Sequence, residues 1–182
     1  MYFLVRLILA FIPLKSWRKR LRNPVQNLVF GAPVRRKASK VGAKLHMHGP
    51  CRVTKETFIG QGVSMGGVEV YGKGKCIIAD HAHFGPGVLI LTQNHNYEGD
   101  ALPYDRTFLL KDVTIGEAAW IGARVTILPG TRIGEGAIVQ AGSVVHGEIP
   151  PCAIAGGNPA KVFSWRDKTR YAQLKEAGRY HR

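Results

Sequence analysis

From Ile115 to Pro150 the sequence advances in steps of six: IGEAAW, IGARVT, ILPGTR, IGEGAI, VQAGSV, VHGEIP. Ile115, Ile121, Ile127, Ile133, Val139 and Val145 occupy the first place of each step. The fifth place holds Ala119, Val125, Thr131, Ala137 and Ser143, all small or β-branched, and Gly116, Gly122 and Gly134 fill the second. Six residues are too few for a pair of helices, and strict apolar/polar alternation is absent. A short strand and a turn in every step make three sides of a coil every eighteen residues, with the aliphatic side chains stacked inward. Each coil then hydrogen-bonds its backbone to the next, which leaves a column of Ile and Val with few polar groups to satisfy. The period predicts an all-β fold, a parallel β-helix.

An earlier stretch keeps the period less cleanly. Val41, Met47, Val53, Ile59 and Met65 are six apart, and after a one-residue slip near Tyr71 to Ile77, Ile78, Phe84 and Ile90 continue it. About three coils are expected there. The period then fails between Leu91 and Asp112, so residues 92–112, TQNHNYEGDALPYDRTFLLKD, read as a loop thrown out from the stack. Long loops on rigid scaffolds tend to carry function, and this one has a histidine, His95, at its root.

Composition supports one ordered domain. With 182 residues, 45% of them hydrophobic and 21% charged, the chain can bury its own core and is not a disordered polyelectrolyte. Cys51, Cys76 and Cys152 are odd in number, widely spaced and without a CxxC pair, which argues against a disulfide framework or zinc ribbon and fits a reducing cytoplasm. Glycine, at 22 residues, marks many tight turns. The formal net charge is +14, and the first acidic residue is Glu56. A second basic group, Lys161, Arg166, Lys168, Arg170, Lys175, Arg179 and Arg182, faces only Asp167 and Glu176 near the other terminus. Partners bearing phosphate or carboxylate are expected. No zinc-finger spacing, aromatic RNA-binding signature or recognition-helix pattern accompanies the charge, so nucleic acid is not expected as a partner.

The opening segment, MYFLVRLILAFIPL, is apolar apart from Arg6 and is followed at once by the basic run from Lys15 to Arg22. That order is the reverse of a secretory signal. A helix of about 13 residues reaches roughly 20 Å, short of a hydrocarbon layer of about 30 Å, so it can lie on a membrane without crossing it. The alternative is a helix that covers an open end of the core, and the two roles can coexist.

The hexapeptide run, the loop that interrupts it and the ending AIAGGNPAKV (Ala153 to Val162) resemble the hexapeptide-repeat, left-handed β-helix acyltransferases. The nearest branch is that of the galactoside, maltose and colanic-acid O-acetyltransferases, with xenobiotic acetyltransferases as relatives. The likeness covers Ile78 to Phe163 strongly and Val41 to Ile77 weakly. It implies a left-handed coil, a homotrimer and acetyl-CoA as co-substrate. The expected organisation is a basic, apolar extension over 1–40, a β-helix over 41–163 and a basic helix over 164–182.

The resemblance also implies site residues. His95 falls where the family carries its catalytic histidine. A sugar hydroxyl is a poor nucleophile at neutral pH, and an imidazole within hydrogen-bond reach can take its proton as it attacks a thioester, which contributes about 10² to 10⁴ in rate. The backbone N–H of Ala123, one residue after Trp120-Ile121-Gly122, matches the donor for the developing oxyanion. Gly85, Ala123, Ala141, His146 and Gly147 match positions along a coenzyme A groove between neighbouring β-helices. Lys161 matches a basic position near its nucleotide end. Ordinary hexapeptide packing is the alternative for each.

Two departures bear on coenzyme A affinity. His146-Gly147 stands where relatives often have Thr-Lys, with Arg166 and Lys168 near enough in sequence to compensate, and Ser164 replaces a second basic residue. Trp120 is expected beside the site mouth, against a sugar or the pantetheine arm, or else in a trimer contact. Asn94 and Tyr97 flank His95 and are candidates for acceptor contacts. Glu98, Asp100 and Asp105 are each able to orient the imidazole, and no spacing selects among them. Histidines 46, 48, 81, 83 and 95 raise a zinc reading, but zinc needs three converging ligands, so no metal is expected.

The expected activity is acetyl-CoA-dependent O-acetylation of a sugar or surface-polysaccharide precursor, in the cytoplasm and peripheral to the inner membrane face. The alternatives are acetylation of a small xenobiotic or a non-catalytic β-helix that binds partners through its basic ends.

Overall fold

A computed structural model describes residues 15–181, with side chains from residue 24 onward. Helix α1 (Lys15–Lys37) leads into a parallel β-helix and is followed by nineteen short strands. The first face of the coil holds β1 (Lys40–Val41), β3 (Thr57–Ile59), β6 (Cys76–Ile78), β11 (Val113–Ile115), β14 (Arg132–Ile133) and β17 (Glu148–Ile149). The second holds β2 (His46–Met47), β4 (Ser64–Met65), β7 (His83–Phe84), β12 (Trp120–Ile121), β15 (Ile138–Val139), β18 (Ala153–Gly157) and β19 (Ala160–Trp165). The third holds β5 (Glu69–Tyr71), β8 (Leu89–Leu91), β13 (Thr126–Ile127) and β16 (Val144–Val145).

Register follows the period. On the first face Val41, Ile59, Ile78, Ile115, Ile133 and Ile149 align rung by rung. On the third, Val70, Ile90, Ile127 and Val145 do the same. The fifth-place residues Ala119, Val125, Thr131, Ala137 and Ser143 are all buried as well, so two places in each step face the core. The polar pair among them is satisfied locally: Thr131 Oγ1 donates to Leu128 O at 2.7 Å and Ser143 Oγ donates to Gln140 O at 2.7 Å. The coils turn through left-handed residues, and at the corner between first and second faces these are Lys44, Gly62, His81, Ala118, Gly136 and Cys152.

The slip in the early coils has a visible cause. Val70, five residues after Met65, takes the inward place, and Tyr71 beside it is 57% exposed. Cys76 and Ile78 are the next inward residues, with Ile78 at the first place of its step, so the corner over 72–75 carries the surplus chain. The interrupting segment is more ordered than a loop. Its arms are β9 (Gln93–His95) and β10 (Phe108–Leu110), an antiparallel hairpin that leaves the corner between third and first faces. Its neck closes through Lys111 N–H to Thr92 O at 3.1 Å, with Thr92 buried.

Both ends of the stack are covered. Phe30 and Val34 of α1 are buried in the core cluster, and Asn27 Oδ1 accepts the Met47 N–H at 2.6 Å. This part of the N-terminal extension is therefore a packing helix, while residues 1–14 lie outside the described residues. At the other end β18 and β19 form a hairpin, so strand runs to Trp165 and the C-terminal helix, α2, spans only Lys168–Glu176. Asp167 caps α2 by accepting the Arg170 N–H at 2.8 Å.

The end of α2 and the chain after it pack on the corner between first and second faces. Lys175 Nζ lies 3.0 Å from Glu117 and 2.7 Å from Glu135, and Tyr180 donates its hydroxyl to Glu117 at 2.5 Å. Burial alone would raise the Glu117 pKa, but the Tyr180 and Lys175 hydrogen bonds hold it below the usual carboxylate value. The same contact pushes the Tyr180 phenol up to about 12.

Candidate active site

His95 ends β9, where the chain leaves the core and pairs with β10 instead of another coil. Residues two apart on a strand share a face, so Gln93 and His95 lie on one side of the hairpin with their partners Leu110 and Phe108. Asn94, paired with Leu109, lies on the other side. The structure therefore does not bring Asn94 to the His95 face. Tyr97 follows the strand and is 60% exposed.

Aromatic rings, not carboxylates, hold the imidazole. Tyr104 stacks on His95 with centroids 3.8 Å apart and planes 20° from parallel, and Phe108 packs at 4.9 Å. His95 Nδ1 is buried and has no hydrogen-bond partner among the described residues. Asp105, one of three acids able in principle to orient the ring, instead accepts from the Thr107 hydroxyl at 2.6 Å and its N–H at 2.7 Å. Those bonds keep its carboxyl below the usual range. Tyr104 and Phe108 were not singled out from the sequence; the period-two pattern at Gln93 and His95 was the available signal.

Ala123 stands at a different edge of the coil, the corner between second and third faces. Its carbonyl accepts the Gly142 N–H at 2.8 Å, whereas its own N–H donates no hydrogen bond among the described residues, and neither does that of Ala141. Ala141 is the next rung of the same column, since Ile121 pairs with Val139. The rung before is Pro86, which has no N–H to offer. Gly85 sits one residue earlier, and a Cβ there would meet Ala123 N at 2.6 Å, so only glycine permits this coil spacing beside the free amide. Lys161 reaches the same edge: it pairs with Gly156, which follows the rung partner of Val139.

The remaining residues divide between the corners. His146 and Gly147 follow β16 at the corner between third and first faces, the edge from which the His95 hairpin leaves. Arg166 lies apart from Lys161. Its backbone N–H donates to Cys152 O at 2.8 Å, its guanidinium to Gly136 O at 3.3 Å, and it covers the Tyr171 ring at 5.4 Å. Lys168 sits on the Trp165 ring at 4.7 Å. Closeness in sequence to Lys161 does not carry these cations around the coil. Trp120 is 51% exposed on the second face, between His83 and Ile138.

Ala123 precedes Thr126, which pairs with Leu89, while His95 follows Ile90 at the far end of the same face. At ~3.3 Å per strand residue the two are on the order of 10 Å or more apart, far beyond a shared hydrogen-bond site of about 3 Å. Within one chain His95 and the Ala123 amide stand at opposite edges of the third face.

No group of three metal-ligating side chains converges among the described residues. The histidines form a loose column instead: His48 Nε2 lies 2.6 Å from Ser64 Oγ, and His83 faces His48 and His181 at 6.3 and 5.8 Å between centroids.

The stacked coils, the interrupting hairpin and the free amides at one edge define a hexapeptide-repeat β-helix protein. Residues 112–147 match the bacterial transferase hexapeptide (six repeats) family. The galactoside O-acetyltransferase of Lactococcus lactis subsp. lactis (strain IL1403) is 39% identical over 85 residues, which is 47% of this chain and 41% of that protein. Among solved structures, a hexapeptide-repeat acetyltransferase of Vibrio cholerae complexed with acetyl coenzyme A is 26% identical. That match covers 88% of this chain and 82% of the other at a TM-score of 0.60. A maltose O-acetyltransferase of Clostridium difficile 630 is 25% identical over 92% of this chain and 84% of its own, at a TM-score of 0.59. The chain spans less than half the length of the sequence relatives it matches, for example 38% and 45% of two of them.

Proposed function

We propose that this chain is an acetyl-CoA-dependent O-acetyltransferase that modifies a hydroxyl of a sugar or surface-polysaccharide precursor, acting as a homotrimer. The observation that carries the reading is the separation of His95 from the Ala123 amide across one face. Two chains side by side would bring the hairpin edge of one to the amide edge of the next, and a three-fold ring repeats that contact with closure.

Acetyl-CoA supplies an electrophilic thioester carbonyl and a thiolate leaving group. His95 takes the proton of the acceptor hydroxyl as its oxygen attacks that carbonyl. The Ala123 N–H of the neighbouring copy donates to the oxygen on which charge develops, and removing one such donor typically costs 10² to 10³ in rate. His95 then returns the proton to the departing sulfur, leaving an O-acetyl ester and free thiol. The small residues Gly85 and Ala141 leave room for an extended pantetheine arm beside the amides, and Lys161 offers a phosphate contact at the same edge.

A His95→Ala variant tests the assignment: acetyl transfer should fall by at least 10² while the oligomer persists, and an unchanged rate removes His95 as the base. A panel of glycan and small-molecule acceptors with labelled acetyl-CoA separates the sugar reading from xenobiotic acetylation.

The apolar residues 1–14 and the basic run after them support peripheral attachment to an anionic inner membrane face. No helix among the described residues is long and apolar enough to cross a membrane. Flotation of the full chain with anionic liposomes, compared with a chain lacking 1–22, tests this. The truncation spares Asn27, Phe30 and Val34, which cover the core, so equal flotation of the two would reject the attachment.

A further inference from the structure

A second groove, of about 490 Å³, opens where the early coils meet the foot of the His95 hairpin. Its walls include Lys37, Arg52, Lys55, Tyr71, Lys73 and Gln93. Arg52 is paired with Glu69 at 2.8 Å. Lys37, Lys55 and Lys73 have no carboxylate partner among the described residues, and Glu56 is the one acid on the wall. The groove is therefore cationic after its internal pairing is counted.

It is also tied to the catalytic hairpin. Gln93 Oε1 accepts the Lys73 N–H at 3.0 Å, which leaves its NH₂ group as a donor. Lys73 Nζ lies 5.1 Å from the centroid of Phe108, the ring that packs on His95. Gln93 and His95 share a hairpin face, two residues or roughly 7 Å apart along the strand, about the reach of one sugar ring. Tyr71, 57% exposed, offers an aromatic face for a sugar beside the lysines.

We propose that this groove is the acceptor site and that it selects a sugar carrying a phosphate or diphosphate. Lys55 and Lys73 bind the phosphate, Tyr71 and Gln93 hold the ring, and a free hydroxyl is thereby presented toward His95. The inference rests on the O-acetyltransferase reading for the fate of that hydroxyl, but not for the binding itself.

The test is calorimetric binding to the full chain saturated with coenzyme A, which occupies other phosphate contacts. Glucose 1-phosphate should bind at least tenfold more tightly than glucose. Lys55→Ala and Lys73→Ala should each weaken it severalfold and together at least tenfold, while Arg170→Ala, an exposed cation on α2, should leave it unchanged. Both lysines are exposed, so the variants are expected to keep the fold, which circular dichroism checks. A sugar on a polyprenyl diphosphate in detergent micelles forms the second arm: tighter binding there assigns the acceptor to the membrane, tighter binding of glucose 1-phosphate to the soluble pool. Equal affinity for glucose and glucose 1-phosphate, or phosphate binding that survives the double lysine variant, overturns the proposal. Because turnover is not read, a chain that binds the phosphate yet transfers nothing would contradict only the transferase reading.

Discussion

The His95 imidazole lies face to face with the Tyr104 phenol, 3.8 Å between centroids, on a hairpin whose next ring, Phe108, packs at 4.9 Å and tilted. Histidine bases are commonly aimed by a carboxylate. Here two aromatic side chains from the same excursion pack on the ring, and Nδ1 has no partner among the described residues.

In the proposed mechanism Tyr104 is accordingly a positioning residue. Tyr104→Ala should lower kcat about tenfold or more with little change in the KM for acetyl-CoA, because it releases the base without touching the Ala123 edge. Tyr104→Phe keeps the stacking face and should restore most of the rate. Steady-state kinetics on the two variants check this; equal losses in both would point to the hydroxyl instead.

At the other edge, Gly85→Ala pushes a methyl group to within 2.6 Å of Ala123 N. The contact is backbone, which cannot swing away, so the corner must shift. We expect a fall in kcat of at least tenfold and a stability loss of about 1–3 kcal/mol from overpacking. Denaturant melts and kinetics on one preparation separate the two effects.

Stability should depend on the Ile column more than on any surface contact. Ile121→Ala deletes a fully buried side chain between Phe84 and Val139 and should cost about 2–5 kcal/mol. Breaking the exposed Arg52–Glu69 pair should cost no more than about 1 kcal/mol. Urea unfolding of Ile121→Ala and Arg52→Ala ranks them.

His83 makes stability sensitive to mild acid. Desolvation, followed by the neighbouring charges of His181, His48 and His46, holds its pKa below the ordinary imidazole value. The unfolded chain takes that proton near pH 6.5, and the folded chain resists it until lower pH. The contribution is thus complete above about 6.5 and is lost as the pH falls through the depressed folded value. Melting temperatures of the parent should drop between pH 7 and 5, and His83→Asn should flatten that slope. Carboxylates such as Glu117, with a lowered pKa, lose their share further down, below the usual range near 4.5.

Much of the coil was legible in the sequence because one physical demand, an inward aliphatic side chain at the first place of each step, repeats on every rung from Ile115 to Val145. The early coils were harder to read, since a short corner before Val70 and a long one after it shift the phase without breaking the stack. Of the candidate site, the placing of Ala123 and Ala141 on one column was legible, because both ride on that period. The candidate site was not legible where the chain leaves the period. Asn94 adjoins His95 in sequence and yet lies on the opposite hairpin face, and Tyr104 reaches His95 only because the hairpin folds back. Arg166 shows a third case: an antiparallel return along β19 carries it to the far edge of the strand pair from Lys161.

The central claim is that base and oxyanion donor belong to different chains, and co-expression of two inactive variants tests it most directly. His95→Ala supplies an intact amide edge, and Gly85→Ala, or a bulkier side chain at 85, supplies an intact base. In a randomly mixed three-fold ring, about one site in four would pair a wild-type hairpin with a wild-type corner. Acetyl transfer should therefore return to roughly a quarter of the parent rate in mixed oligomers, and mixed assemblies no more active than either variant alone would contradict the account.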